Sequence, residues 1–258
     1  MMSLKTNFTP DSPLTDAIFP ALNVEPRLDG QVPRFLILHY TGMSSAEKAV
    51  AWLACAESRV SCHYVVSEAG RITQLVPECL RAWHAGVSVW DGIRDVNSAS
   101  IGIEIHNPGH EDGYPDFTLA QMEAVARLSG DICSRRRILP RHVLAHSDIA
   151  PHRKIDPGEK FDWAFLHRRG VGHWVPPAEV DAGDAGLELG YRGALVAEVQ
   201  SALAVYGYGV SDSGALDAET VSVLRAFQRH FRPSRVDGRL DRSTWLTLER
   251  LLAGLPAA

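Results

Sequence analysis

Apolar runs of strand length and apolar stripes of helical period alternate over the first two thirds of the chain. Phe35-Leu36-Ile37-Leu38-His39 is a short apolar run closed by a polar group, the pattern of a buried strand that delivers His39 at its end. The stretch from Ala46 to Ala56 predicts a helix, with Ser44 and Ser45 offering its N-cap. His63-Tyr64-Val65-Val66 and Arg71-Ile72-Thr73-Gln74-Leu75-Val76 flank Glu68-Ala69-Gly70 and predict a hairpin. In Ile101-Gly102-Ile103-Glu104-Ile105-His106, period two puts the three isoleucines on one face and Gly102, Glu104 and His106 on the other. A carboxylate in a strand otherwise made for burial is unusual. Thr118 to Arg137 predicts a long helix with Leu119, Met122, Val125, Leu128 and Ile132 on its inner face, and His142-Val143-Leu144-Ala145-His146 predicts a further strand ending in a histidine.

Outside this region the texture changes. Residues 1–30 have no clear period and read as an irregular N-terminal arm. Residues 170–190 hold five glycines, Pro176-Pro177 and several acids, the composition of a linker, placed here at 173–188. Beyond it, at 189–258, the pattern is helical and contains an internal repeat: Gly214-Ala215-Leu216-Asp217-Ala218-Glu219-Thr220 aligns with Gly238-Arg239-Leu240-Asp241-Arg242-Ser243-Thr244. Each Asp is placed to cap a helix start. Leu224, Phe227 and Phe231 follow the first copy, and Trp245, Leu248 and Leu252 the second, at helical spacing. A preceding helix carries Leu195, Val199, Ala202 and Tyr206, so three helices form a small module. This division predicts that a chain ended near residue 175 folds by itself.

The balance of 26 Lys+Arg against 31 Asp+Glu gives a formal charge of −5, which speaks against nucleic acid as a partner. No apolar run reaches the length of a membrane span, and the N-terminus lacks the apolar core of a secretory signal. Cys55, Cys62, Cys79 and Cys133 are scattered without a CxxC pair and read as free thiols of a reducing compartment.

Ten of the eleven histidines precede residue 175 and direct the search for chemistry to the first domain. The segment from His146 to Gly158 starts at a strand end, cannot be a regular helix across Pro151 and closes on Pro157-Gly158. Such a loop can bring His146 and Asp156 to one point, with His39 as a third donor. Two histidines, one carboxylate and an open fourth position describe a catalytic zinc site. Spacing alone serves equally well an ordinary polar loop in which Asp156 caps a turn, since no HExxH signature is present.

Leu36 through Thr41, Ala82-Trp83-His84-Ala85-Gly86, Ser100 through Ile105, His146-Ser147-Asp148-Ile149-Ala150-Pro151 and Asp156-Pro157-Gly158 together resemble the zinc-dependent N-acetylmuramoyl-L-alanine amidases of the amidase type 2 family. The likeness spans roughly residues 30–168, within a catalytic domain placed at 31–172. The terminal module resembles the three-helix peptidoglycan-binding domain through residues 237–244 and Phe227-Gln228. The resemblance implies an α/β domain with a mixed central sheet flanked by helices, plus the small three-helix domain. It implies one Zn2+ held by His39, His146 and Asp156, with Glu104 as the catalytic glutamate and Lys154 as the basic residue beside the metal. His84, Asn97 and His63 are expected near the substrate. The partner implied is peptidoglycan or muropeptides, including 1,6-anhydro-muropeptides, cut between N-acetylmuramic acid and L-alanine. A binding protein of the same fold that does not cut is the alternative, against which all five positions stand intact. The missing signal pattern favours the cytoplasm and recycling, whereas a wall-binding module fits the periplasm.

Overall fold

The computed structural model describes residues 8–255. Chain order runs β1 (Ala17–Ile18), β2 (Val24–Pro26), β3 (Phe35–Tyr40), α1 (Ala46–Ala54), β4 (Tyr64–Val66), β5 (Ile72–Gln74), β6 (Leu80–Ala82), α2 (Val96–Ala99) and β7 (Ser100–Ile105). It continues with α3 (Leu119–Arg136), β8 (Val143–Ala145), α4 (His146–Ile149), α5 (Trp163–Arg168), α6 (Ala194–Tyr206), α7 (Ala218–Phe231) and α8 (Arg242–Ala253). The main sheet has the order β1-β5-β4-β7-β3-β8. It is mixed: β4, β7, β3 and β8 run parallel, while β5 is antiparallel to β4 in the expected hairpin.

Alternation of side chains divides the sheet into two faces. Leu36, Leu38 and the three isoleucines of β7 point toward α3, where Met122, Val125, Leu128 and Ile132 meet them. Leu119 belongs to the same helical stripe, but in the first turn it lies beyond the sheet and is exposed. The helix begins on a capping box between Thr118 and Gln121. On the other face, Phe35, Ile37, Trp90, Leu144 and Ile149 share one apolar core with Val199, Leu203, Tyr208, Phe227 and Phe231 of the C-terminal module.

That shared core joins the two parts of the chain. Asp148 of α4, fully buried, receives the Tyr208 hydroxyl on Oδ1 and His230 Nδ1–H on Oδ2, each at 2.7 Å, as well as the Ala145 amide at 2.8 Å. His230 also stacks on Trp163 with ring centroids 3.7 Å apart. Residues 173–188 form no helix and contribute no sheet strand, yet they are tied down: Trp174 and Val175 enter the shared core and the Ala178 amide donates to Thr247 Oγ1. Ending the chain near residue 175 would take Tyr206 and Tyr208 from Trp90, so the expected independence of the first domain becomes a matter for the unfolding experiment below.

Within the module the repeat is visible in three dimensions. Asp217 caps α7 by accepting from the Thr220 amide, and Asp241 caps α8 by accepting from that of Thr244. A buried glutamine stands before each copy: Gln200 bridges the Gly214 amide and Thr220 Oγ1, as Gln228 bridges the Gly238 amide and Thr244 Oγ1. On α6 the buried stripe runs through Val196, Val199, Leu203 and Tyr206, which leaves Leu195 partly exposed rather than inward. The N-terminal arm, expected to be irregular, supplies β1, parallel to β5, and β2, antiparallel to β6. No helix of the described residues is long and apolar enough to cross a membrane.

Removing the hydroxyl in Tyr208→Phe leaves Asp148 Oδ1 without its buried donor, and a lost hydrogen bond to a charged group costs about 1.5–3 kcal/mol. Urea unfolding should show that loss as a lower midpoint, and a chain ended at residue 175 should fall much further. An unchanged midpoint in both would dissolve the shared core as a source of stability.

Glu78, fully buried, lies between Arg135 and Arg136 and accepts from the Tyr64 hydroxyl at 2.7 Å. Burial works to raise its pKa, but the hydrogen bonds from Arg135, Tyr64 and Arg136 prevail and lower it to about 2. A depressed folded-state pKa gives stability that is complete above the unfolded value of about 4.3 and is lost as pH falls through the folded value. Glu78→Gln should therefore be much less stable than the parent chain at pH 7 and nearly equal to it near pH 2; a gap independent of pH would refute the charge-based account.

Candidate metal centre and active site

Register places the site. In the parallel pair β3–β7, His39 lies opposite Glu104, and in β3–β8 Leu38 lies opposite Ala145, which brings His146 abreast of His39. Three neighbouring parallel strands thus present polar side chains at their carboxyl ends, where open α/β sheets bind ligands. The loop after α4 then folds back: the Ser147 amide donates to the Asp156 carbonyl at 3.0 Å, closing the turn that carries Asp156 to the histidines.

His39 Nδ1, His146 Nδ1 and Asp156 Oδ2 converge. The two nitrogens are 2.9 Å apart, and the carboxylate oxygen lies 3.2 Å from the first and 3.0 Å from the second. Each residue is at least nine-tenths buried. Among the described residues, this trio forms a possible metal site. Burial and the neighbouring His146 lower the His39 pKa to about 4, with Asp156 opposing. Burial would raise the Asp156 pKa, but the adjoining His146 holds the carboxyl far below the ordinary range.

Glu104 borders the same cleft of about 640 Å³. Its Oε2 is buried and has no hydrogen-bond partner, a rare condition for a carboxylate oxygen. Burial, helped by the negative Asp156, pushes its pKa well above the ordinary glutamate value, while Lys154 pulls the other way. Lys154 and Arg153 line the cleft; Trp52, Val60 and Trp83 add apolar surface, and Glu111 and Asp112 add acid.

Of the remaining candidates, His84 and Asn97 line a smaller pocket beside the trio and His63 lies behind it. His84 borders the cleft, yet its Nδ1 is 3.0 Å from His39 Nε2 and its Nε2 is 3.2 Å from Ser100 Oγ. Asn97 uses Oδ1 to accept the amides of His84 and Ala85, at 3.0 and 2.8 Å. His63 is fully buried; Nδ1 accepts the Gly102 amide and Nε2 faces the Leu80 carbonyl. It therefore has no atom to offer a molecule in the cleft, against the expectation of substrate contact. Cys62 beside it is a buried thiol that donates to the Tyr64 carbonyl. All four cysteines are free.

Sequence reasoning passed over Arg153, whose guanidinium donates to the Ala85 and Val87 carbonyls, and the Ala85 carbonyl itself, 3.2 Å from His146 Nε2. Backbone acceptors leave no trace in composition, although Arg153 sits inside the loop already singled out.

A family model for N-acetylmuramoyl-L-alanine amidase matches residues 29–159, half of the chain and the whole of the site just described. The chain belongs to that amidase family. A peptidoglycan binding domain matches residues 192–248. The N-acetylmuramoyl-L-alanine amidase AmiD of Escherichia coli is 38% identical over 231 residues, which cover 85% of this chain and 82% of AmiD. The 1,6-anhydro-N-acetylmuramyl-L-alanine amidase AmpD of Citrobacter freundii is 32% identical over 162 residues, 56% of this chain and 84% of AmpD. Among solved structures, E. coli AmiD in complex with the substrate anhydro-N-acetylmuramic acid-L-Ala-D-gamma-Glu-L-Lys superposes with a TM-score of 0.73 at 36% identity, covering 89% of this chain and 93% of that one. AmpDh3 of Pseudomonas aeruginosa in complex with anhydromuramic pentapeptide gives 0.73 at 32% identity, covering 90% and 96%. As an amidase of this family, the protein is a hydrolase of peptidoglycan stem linkages.

Asp156→Ala removes the oxygen that closes the trio. Metal analysis after dialysis against zinc should find the variant empty and the parent chain loaded with one equivalent; full occupancy in the variant would remove Asp156 from the ligand set.

Proposed function

We propose that His39, His146 and Asp156 hold one zinc ion and that Glu104 and Lys154 carry out hydrolysis of the amide between N-acetylmuramic acid, or its 1,6-anhydro form, and L-alanine. The donor set supports the choice. Zinc bonds to nitrogen and oxygen of about 2.0–2.1 Å give tetrahedral edges of about 3.3 Å. The three edges here, 2.9 to 3.2 Å, fall within a few tenths of an ångström of that. A carbonyl accepts only an N–H, so Nε2 of His146 donates toward Ala85 and Nδ1 is the ring nitrogen left for a metal. When bound, zinc supplies Lewis acidity toward a carbonyl oxygen and toward water at its open position.

The observation that carries the catalytic reading is Glu104 Oε2, buried, unpartnered and beside the trio. A carboxylate with a raised pKa and a free oxygen suits proton transfer in both directions. Glu104 takes a proton from the attacking water as the C–O bond forms, then delivers it to the alanine nitrogen as the C–N bond breaks. Lys154 sets positive charge against the oxyanion that develops between those steps. A protein that bound muropeptides without cutting them would have no use for such an oxygen. The sugar and stem peptide fit a cleft whose apolar side is formed by Trp52, Val60 and Trp83.

The module speaks to where the bond is found. The likeness to AmiD runs through both parts of the chain, whereas the likeness to AmpD covers 56% of it. We therefore place the enzyme on wall-attached stem peptides as well as on soluble anhydro-muropeptides, work that suits the periplasm. Mass spectrometry of products should show free stem peptides beginning with L-alanine from both substrates. Glu104→Gln should keep its zinc and lose about 10²–10⁴ in rate. Unchanged turnover in that variant would sink the base assignment, and release from anhydro-muropeptides alone would confine the enzyme to recycling.

A further inference from the structure

His84 is absorbed by neither the metal trio nor the cleft chemistry, and its hydrogen bonds fix more than its own position. The Ser100 hydroxyl lies 2.6 Å from the Val96 carbonyl, a separation between two oxygens that requires the hydroxyl proton between them. That proton is the only one Ser100 Oγ has, so toward His84 Nε2, at 3.2 Å, Ser100 can only accept. His84 Nε2 therefore carries the ring proton, and Nδ1 of the neutral imidazole is a bare acceptor. Facing it at 3.0 Å is His39 Nε2, which must then be the protonated nitrogen of its own ring. What remains on His39 is Nδ1 without a proton, aimed at His146 Nδ1 and Asp156 Oδ2.

We propose that His84 is a positioning residue that dictates the tautomer of His39, so that Nδ1 meets the metal as a bare lone pair, through a relay anchored on the Val96 carbonyl. The proposal rests on the zinc reading above and adds to it the group that prepares one ligand. The same dipeptide serves both histidines: His84 acts on His39 through its side chain, and Ala85 acts on His146 through its carbonyl. Asn97 holds the two together by accepting both of their amides.

Space for the relay is reserved in β7. A Cβ at Gly102 would stand 2.6 Å from Cγ and Nδ1 of the His84 ring, closer than real contacts allow. The backbone there is ordinary strand, so it is the ring of His84 that requires glycine, not the chain conformation. His39 and Ser100 are buried and His84 nearly so, which holds the relay within the protein.

The test uses the full chain labelled with ¹⁵N-histidine, stripped of metal by chelator, in which two-bond ¹H–¹⁵N correlations separate Nδ1–H from Nε2–H rings. His39, assigned through its own variant, should be in the Nε2–H form. In His84→Ala it should become a mixture of tautomers, and zinc affinity measured by competition with a chromophoric chelator should fall about 10–100-fold, the usual effect of losing a partner behind a metal ligand. His84→Asn, which sets an amide oxygen near the place of Nδ1, should recover part of that affinity. Gly102→Ala, which keeps each polar group and displaces the ring, should fall with His84→Ala. Should His84→Ala fail to fold, Ser100→Ala carries the test, because it frees His84 to reverse and should mix the His39 tautomers. A parent chain with His39 in the Nδ1–H form overturns the proposal. So does undiminished zinc affinity with an unchanged His39 spectrum in the folded variant. A parent chain that takes no zinc would sink the metal reading instead, while the metal-free spectra still decide the relay.

Discussion

The parallel register of β3, β7 and β8 is the constraint on which the site depends. Parallel strands hydrogen-bonded in this frame place His39 beside Glu104 and leave His146 one step past Ala145. A slip of one residue in any of them would turn its polar group through the sheet into the apolar layer under α3. Register is held by that layer, since Leu36, Leu38 and the β7 isoleucines fit only when they all face α3. Burial of oil on one side therefore aligns donors on the other.

Much of this was legible in the chain because chemistry interrupts a strong pattern there. His39 closes an apolar run, Glu104 stands alone in a strand made for burial, and His146 ends a third run. Asp156 is different: loop spacing left an ordinary capped turn as good a reading, and the resemblance to the amidase family singled it out. The arrangement behind the ligands was less accessible. Ser100, Ala85 and Val96 contribute a hydroxyl or a carbonyl, groups found throughout any sequence, and their roles arise from where folding puts them. His63 and His84 were drawn toward the substrate by their motifs, while the structure spends their ring nitrogens on protein partners.

Elements were missed where they were too short for a period to declare itself. β1 and β2, of two and three residues, are strands because β5 and β6 offer open edges, not because of their own composition. The helical stripes were read on the right helices but were displaced at their first turns, where Leu119 and Leu195 extend past the surface they were expected to cover. The boundary drawn from composition runs between two parts that contribute to one apolar core. The stripe that closes the module's own core and the stripe that meets Trp90 and Ile149 are written with the same residue types.

That shared core has a consequence for how the enzyme meets a polymer. A binding module on a flexible tether lets a catalytic unit sweep a volume around its anchor, so many bonds compete for one active site at a modest local concentration. Here the anchor and the cleft are fused through buried side chains, and whatever the C-terminal helices grip is gripped at a set offset from Glu104. Bonds at that distance and orientation along a strand gain most from tethering. A seam of this kind acts as a caliper rather than a leash, fixing the span between the module and Glu104.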